Sequence, residues 1–389
     1  MYSQDEINSA VGAGALSQEA ADALRAHVAI VRERPVTDEE HFRLINSFND
    51  IFVAIGIVIL LVAVGAIGQA IGGAIIPKPA WPDNFESFGE AETSVFYDAR
   101  ARSEALQICI AGLLVALASW PLAEFFTRRR RMALPSILLL IAFVVGLFAA
   151  FSSFGMLIAR ESAGTVGALF IAGAGLLAAG GAWLHWRRFA VPITVAAGAG
   201  ALAVTVIALI GALLEATIGL TGEDWLLPFI LVAGLAIFVL AMRWDISDPV
   251  RETRRADVAF WLHLLAAPMI AHPVFFWLGG VDGGESMGIG GALGVMAVYV
   301  VFGLVALAID RRALLVSALA YVLIALGYLF DQFGAVQLAF ALTALVIGSA
   351  LLSLSAFWTP IRAKVVAALP EKLQARLPRA AVAANLAAT

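Results

Sequence analysis

The chain has 389 residues, 61% of them hydrophobic and 14% charged, with a formal net charge of −4 and a mean hydropathy of +0.92. An ordinary soluble domain is about a quarter charged and about half apolar, so this composition excludes a soluble globular protein. It points to an all-α, polytopic membrane helix bundle.

Residues 1–50 read as a short cytosolic helical element leading into the first span. They hold no apolar core followed by a small-residue cleavage site, so no removable signal peptide is expected and the first span serves as the signal. Ser3 with Glu6 fits a capping box opening a helix that Gly12 and Gly14 end, and Ser17 caps a second helix that stops before Pro35. Thr37 with Glu40 opens a third, whose apolar positions Phe42, Ile45, Phe48 and Phe52 form one stripe before the run turns wholly apolar.

Ten apolar stretches follow, each near the roughly 20 residues that cross a bilayer. They fall at about 52–76, 104–126, 133–157, 164–184, 190–214, 226–242, 258–278, 288–309, 312–330 and 335–357, so that 51–358 is the transmembrane bundle. Placing the N-terminus in the cytoplasm puts about 21 of the 25 Lys and Arg residues on that side, leaving Lys78, Arg100, Arg102 and Arg160 outside. The formal charges are then roughly +5 inside and −9 outside. An even number of spans with both termini inside, in a bacterial inner membrane, is the expectation.

The outer connection from Pro77 to Glu104 is acidic and carries Trp81, Phe85, Phe88, Phe96 and Tyr97. It reads either as an interfacial anchor running into the second span or as a cap over the outer face. Three inner turns each hold an arginine pair: Arg130-Arg131, Arg187-Arg188 and Arg311-Arg312. A duplicated hairpin spanning helices two to nine explains the likeness, and so does the preference of inner turns for basic residues. Residues 359–389, with Arg362, Lys364, Lys372, Arg376 and Arg379 among apolar neighbours, read as a basic amphipathic tail on the inner leaflet.

The seventh span, Ala256 to Gly280, differs from the rest. It carries His263 and His272 with Pro268 and Pro273, and the prolines deprive the Leu264 and Met269 carbonyls of their usual donors. A helix can hold such groups in lipid only where neighbouring helices or water satisfy them, so this span belongs inside the bundle. Nine residues separate the histidines, which places them on opposite faces of an ideal helix. His263, with Trp261 and Pro268 beside it, and His272 are candidates for a ligand or ion path. Glu215, just inside the outer boundary if the fifth span continues to Ile218, and Arg160 in an outer turn are the others. Glu124 stands one turn before Arg128, where a local ion pair suffices.

No catalytic motif is present, so no enzyme is expected. The glycines at 288–294 miss the dinucleotide spacing, and neither HExxH nor GxSxG occurs. Cys109 stands alone, which excludes an intramolecular disulfide and a cysteine metal cluster. No cofactor and no metal are expected, and because the basic residues are divided among membrane turns, no nucleic acid either.

The run Ala10-Val11-Gly12-Ala13-Gly14-Ala15-Leu16-Ser17-Gln18-Glu19-Ala20, a helix broken by glycine before a second one ahead of many spans, resembles bacterial multi-pass membrane protein families of unknown function that begin with a short cytosolic helical element. The resemblance implies an inner-membrane protein and no particular activity. Two functions follow as expectations: a carrier for a small polar solute or ion lined by the seventh span, and a non-transporting sensor or assembly protein that binds a cytosolic protein partner. A carrier built from inverted repeats usually has two interrupted helices, whereas only the seventh span is interrupted here.

Overall fold

The computed structural model describes residues 10–24, 48–82, 85–159, 164–219, 225–248, 253–279, 288–332, 338–374 and 377. The chain divides into two units, one of which, Leu44–Ala380, carries the apolar helices. In the other, Gly14 takes a left-handed φ of 72° and closes the first helix. The Ser17 hydroxyl accepts from the Ala20 amide at 3.1 Å and opens the second, as its position requires. The capping boxes at Ser3 and Thr37 lie outside the described residues.

Ten long helices follow: α1 (Phe48–Ile75), α2 (Glu90–Ala123), α3 (Ala133–Ala159), α4 (Thr165–Phe189), α5 (Ile193–Ile218), α6 (Leu226–Ile246), α7 (Arg254–Trp277), α8 (Ile289–Ile309), α9 (Ala313–Gln332) and α10 (Ala339–Ala356). Among the described residues, nine are long and apolar enough to cross a bilayer. No strand forms among those residues. The outward side chains are large and apolar, among them Phe52, Leu117, Val239 and Leu352. So much exposed apolar surface requires lipid around it.

α2 begins earlier than the apolar run and ends differently. The second half of the acidic, aromatic segment forms its first turns, with the Glu92 carboxylate accepting from the Gly89 amide at 3.1 Å. Beyond Pro121 the helix continues as a π-helical turn, Glu124–Arg129. All five aromatics of the Pro77–Glu104 connection gather into one cluster around Trp81, whose ring centroid lies 4.9 Å from Phe85 and 5.1 Å from Phe96. Arg100 stacks over Trp81 at 4.9 Å and donates to the Pro79 carbonyl at 2.7 Å, while Lys78 pairs with Glu104. Two basic residues of this side are thus held by their own segment.

α10 is shorter than the expected span. It has 18 residues, about 27 Å at 1.5 Å per residue. The chain then turns by 75° into α11 (Trp358–Ala367), which is followed by the short α12 (Glu371–Gln374).

Sequential helices pack as hairpins: α2 with α3, α4 with α5, α6 with α7, and α8 with α9, with α1 against α2 and α10 against α9. Small residues permit the close approaches. Where α2 crosses α3, a Cβ added to Gly112 would lie 2.7 Å from the Gly146 carbonyl oxygen, and one on Gly146 would lie 2.6 Å from that of Gly112. Three of the connecting turns share a backbone device, since Arg131, Ala190 and Asp310 each take a left-handed φ, of 53°, 51° and 58°. Relative to that residue, however, the first arginine pair ends on it, the second precedes it and the third follows it. The likeness among the turns is therefore one of turn geometry and not of arginine register.

α7 is the most buried of the nine spans among the described residues. Half of its central window is buried, against 17–39% for the other eight spans, and it packs on α5, α6 and α9. It remains helical through both prolines. At Gly234, α6 comes so near that an added Cβ would stand 2.8 Å from the Met269 Cβ and 3.0 Å from its carbonyl carbon. Met269 is the residue whose carbonyl Pro273 deprives of a donor.

Candidate functional site

The turns joining α6 to α7 and α8 to α9 lie at the same end of the bundle. α6 ends on Asp245 and Ile246. Asp248 then accepts from both the amide and the hydroxyl of Thr253, at 2.9 and 2.7 Å, and Thr253 in turn accepts from the Arg255 amide at 3.2 Å, starting α7. This caps the hairpin and sets Asp245 beside the third turn of α7, where His263 projects. His263 Nε2 donates to Asp245 Oδ2 at 2.9 Å, because an ionised carboxylate can only accept. The Phe238 ring packs edge-on against the imidazole, 5.2 Å between centroids.

The third member comes from the α8–α9 turn. Asp310 ends α8 in the left-handed conformation, tolerable for a short polar side chain. The residue after it is buried, as it is in the two related turns. There the buried side chains are Met132 and Val191; here it is Arg311. A buried guanidinium needs a counter-charge, and Arg311 finds it in Asp245. Its Nη2 donates to Oδ1 at 2.5 Å and its Nε to Oδ2 at 3.3 Å. The same Nη2 reaches the Ala256 carbonyl at 3.2 Å. Asp245 and His263 are almost wholly withdrawn from the surface, each side chain 1% exposed, so the fork of Arg311 and the imidazole take the place of water around one carboxylate.

Asp310 itself faces the other way. Its Oδ1 accepts from the Trp358 indole at 2.7 Å and lies 3.6 Å from Arg362 Nε. Arg312 stacks over the Trp358 ring at 4.9 Å. These contacts dock α11 against the bundle. Arg362, expected among the basic residues of a leaflet-bound tail, is 2% exposed and turned inward. The tail residues Arg376 and Arg379 lie outside the described residues.

The other candidates occupy separate places. His272 meets the Tyr321 hydroxyl of α9 at 2.7 Å, beneath a stack of Phe275 on Tyr321 at 4.7 Å. The two histidines therefore serve different faces of α7, as their spacing requires. Glu215, near the far end of α5, which does run on to Ile218, accepts from Thr165 Oγ1 at 3.3 Å and lies over Gly164. Trp261 is partly buried in the core shared by α5, α6 and α7. Pro268 is exposed on the bundle's side and stands apart from His263. Arg160 lies outside the described residues. His263, His272 and Glu215 thus have separate partners in Asp245, Tyr321 and Thr165. Among the described residues, no three His, Cys, Asp or Glu side chains converge as a metal site would require.

Asp245, Asp310, Arg311 and Arg362 are absent from the sequence-derived candidates. Each stood in an inner turn or tail where charge needs no explanation. An acidic residue directly before an inner arginine pair, as at Asp310-Arg311-Arg312, was the available signal.

The chain matches no protein-family model, no curated protein and no solved structure. The meaning of the site rests on its geometry.

Proposed function

We propose that the protein is an integral membrane carrier for a small polar solute or ion, in which α7 lines the path and the Asp245–His263–Arg311 triad closes its inner end. The proposed setting is a bacterial inner membrane, with the arginine-rich turns and both termini in the cytoplasm. The observation that supports this most is the partnering of α7. The most buried of the spans holds one histidine to a carboxylate of its own hairpin, which an arginine of the α8–α9 turn also grips, and holds the other to a tyrosine nearer its opposite end. A buried charge triad joining three segments at one end of a bundle resists separation while it is intact, and frees a carboxylate and an imidazole for a cation or proton once parted. No catalytic role is proposed.

The test is flux through the full chain in vesicles. With an imposed pH gradient and a trapped pH-sensitive dye, or with Na⁺ or K⁺ and an ion-sensitive dye, wild type is expected to move at least one of the three. His263→Ala and Asp245→Asn are expected to slow that flux at least tenfold. A wild-type flux unchanged in both variants removes the proposed path.

The docking of α11 favours a second reading, a sensor or assembly protein whose cytosolic tail reports on the bundle. Trp358 and Arg362 bind the residue adjoining Arg311, so a partner that engaged the tail would act next to the triad. Wild-type vesicles silent for all three ions, together with a cytosolic protein retained by the full chain and lost with Arg362→Ala, support that reading over the carrier.

A further inference from the structure

The π-helical turn at the end of α2 has no part in the triad, yet it shapes a cleft of about 470 Å³ lined by Pro121, Glu124, Phe125, Arg128 and Arg129. The cleft's volume is within the range of small-ligand sites. Its origin is in the backbone. Pro121 has no amide hydrogen to give the carbonyl one turn earlier, and the helix then widens so that the Arg130 amide bonds the Phe125 carbonyl, five residues back, at 3.0 Å. Such widened turns are frequent at functional sites. Here the widening sets residues 121, 124, 125, 128 and 129 around one opening at the arginine-rich end of the bundle.

The electrostatics of the opening are one-sided. Arg128 to Arg131 on and after this turn and Arg187 and Arg188 on the next hairpin bring six arginines to this end, and the carboxylate lining the cleft is Glu124. That carboxylate is already committed, since Arg188 donates to it through Nε at 2.6 Å and through Nη2 at 3.1 Å. The contact from Arg128 is longer, at 3.4 Å. Arg130 is drawn aside over the Phe125 ring, 5.5 Å from its centroid. Arg128 and Arg129 are the guanidiniums lining the cleft itself, beside an exposed phenylalanine and a proline.

We infer that this cleft binds the phosphodiester headgroup of an anionic lipid, with Arg128 and Arg129 as the phosphate ligands and Phe125 and Pro121 against the glycerol and upper acyl carbons. The guanidinium forks match a phosphate's oxygens. The neighbouring apolar surface matches the part of a lipid that an inorganic anion lacks. The site lies where α2 leaves the membrane, at headgroup depth, and its Arg188–Glu124 pair ties the bound lipid to the α4–α5 hairpin.

The test uses the full chain in nanodiscs of phosphatidylcholine doped with phosphatidylglycerol, and reads by native mass spectrometry the lipids kept on release. Wild type is expected to retain phosphatidylglycerol. Arg128→Gln with Arg129→Gln is expected to reduce retention at least tenfold, whereas Arg130→Gln with Arg131→Gln, an equal change of charge on the same turn, is expected to alter it less than threefold. Equal losses in the two double variants would assign the binding to general surface potential and overturn the site. Displacement of the lipid by millimolar inorganic phosphate would also overturn it, because an apolar contact would then contribute nothing. If the cleft variant does not assemble, Glu124→Gln carries the test. It releases Arg188 toward the cleft and is expected to raise retention at least threefold, and unchanged or lower retention in it refutes the inference.

Discussion

Replacing Arg311 by methionine removes a charge from the triad while keeping most of the side-chain volume. Arg311 is 4% exposed and makes two contacts to Asp245 and one to the Ala256 carbonyl. Its loss leaves a buried carboxylate with His263 alone, a change that costs about 3–5 kcal/mol in comparable buried pairs. Asp245→Leu orphans the guanidinium and belongs in the same range. If the two effects were independent, the double variant would lose roughly 6–10 kcal/mol. Removing both charges together, however, leaves no buried charge and takes only the Asp245 acceptor from the His263 Nε2–H, at about 1–3 kcal/mol. The expected coupling is therefore at least about 3 kcal/mol. Unfolding in mixed micelles by added SDS, followed through the fluorescence of the nine tryptophans, gives the four corners of the cycle. A double variant that assembles when a single does not reports the same coupling. Additive losses, or a loss below about 1 kcal/mol for Arg311→Met alone, would mean that water reaches the triad and that it is no closure.

Two further outcomes follow from single contacts. Gly234→Val places a branched side chain where even a Cβ stands 2.8 Å from Met269, and is expected to wedge α6 from α7 at a loss of about 1–3 kcal/mol. Gly290→Ala, whose Cβ meets open space, loses nothing in the same unfolding assay, and equal behaviour of the two would disprove the close approach. Trp358→Phe keeps a ring near Arg312 but removes the donor to Asp310 at 2.7 Å. Its expected loss of about 1.5–3 kcal/mol should appear as faster hydrogen exchange of the α11 amides while the spans stay protected, and uniform acceleration throughout would argue against docking through that bond.

The bundle was legible because crossing a bilayer imposes a length and a composition that nothing else in this sequence meets. His263 and His272 were legible for a related reason: an imidazole within an apolar run must find a partner, and nine residues of helix determine that the partners differ. What they bond was not. Tyr321 is 49 residues from His272, and Arg311 is 66 from Asp245. Pairings at such separations leave no periodic trace. The positive-inside expectation also hid the site, because a rule that accounts for an arginine at every turn of one side cannot distinguish the one that is buried. The backbone makes that distinction. At the position after the left-handed residue, two turns bury Met132 and Val191 while the third buries Arg311. The tenth span ended early for a comparable reason, since the Trp358 indole and the Arg362 guanidinium are held by Asp310 and the chain bends to bring them there.

Asp310 and Arg311 give the two functional readings a common physical basis. They are adjacent, and the left-handed turn sends their side chains to different partners, Asp310 to the tail helix and Arg311 to the triad on α7. Neighbouring residues share a peptide plane, so Asp310 cannot shift far without carrying the Arg311 backbone with it. The bidentate contact of Arg311 with Asp245 has little tolerance, because hydrogen bonds weaken steeply once their distance and angle are lost. Tail docking and closure of the triad are then states of one small structure at this end of the bundle. A carrier would use that coupling to let the tail restrain opening, and a sensor would use it to report opening to a partner. The two differ in whether anything crosses the membrane when the triad parts, which is why flux, rather than partner binding, discriminates between them.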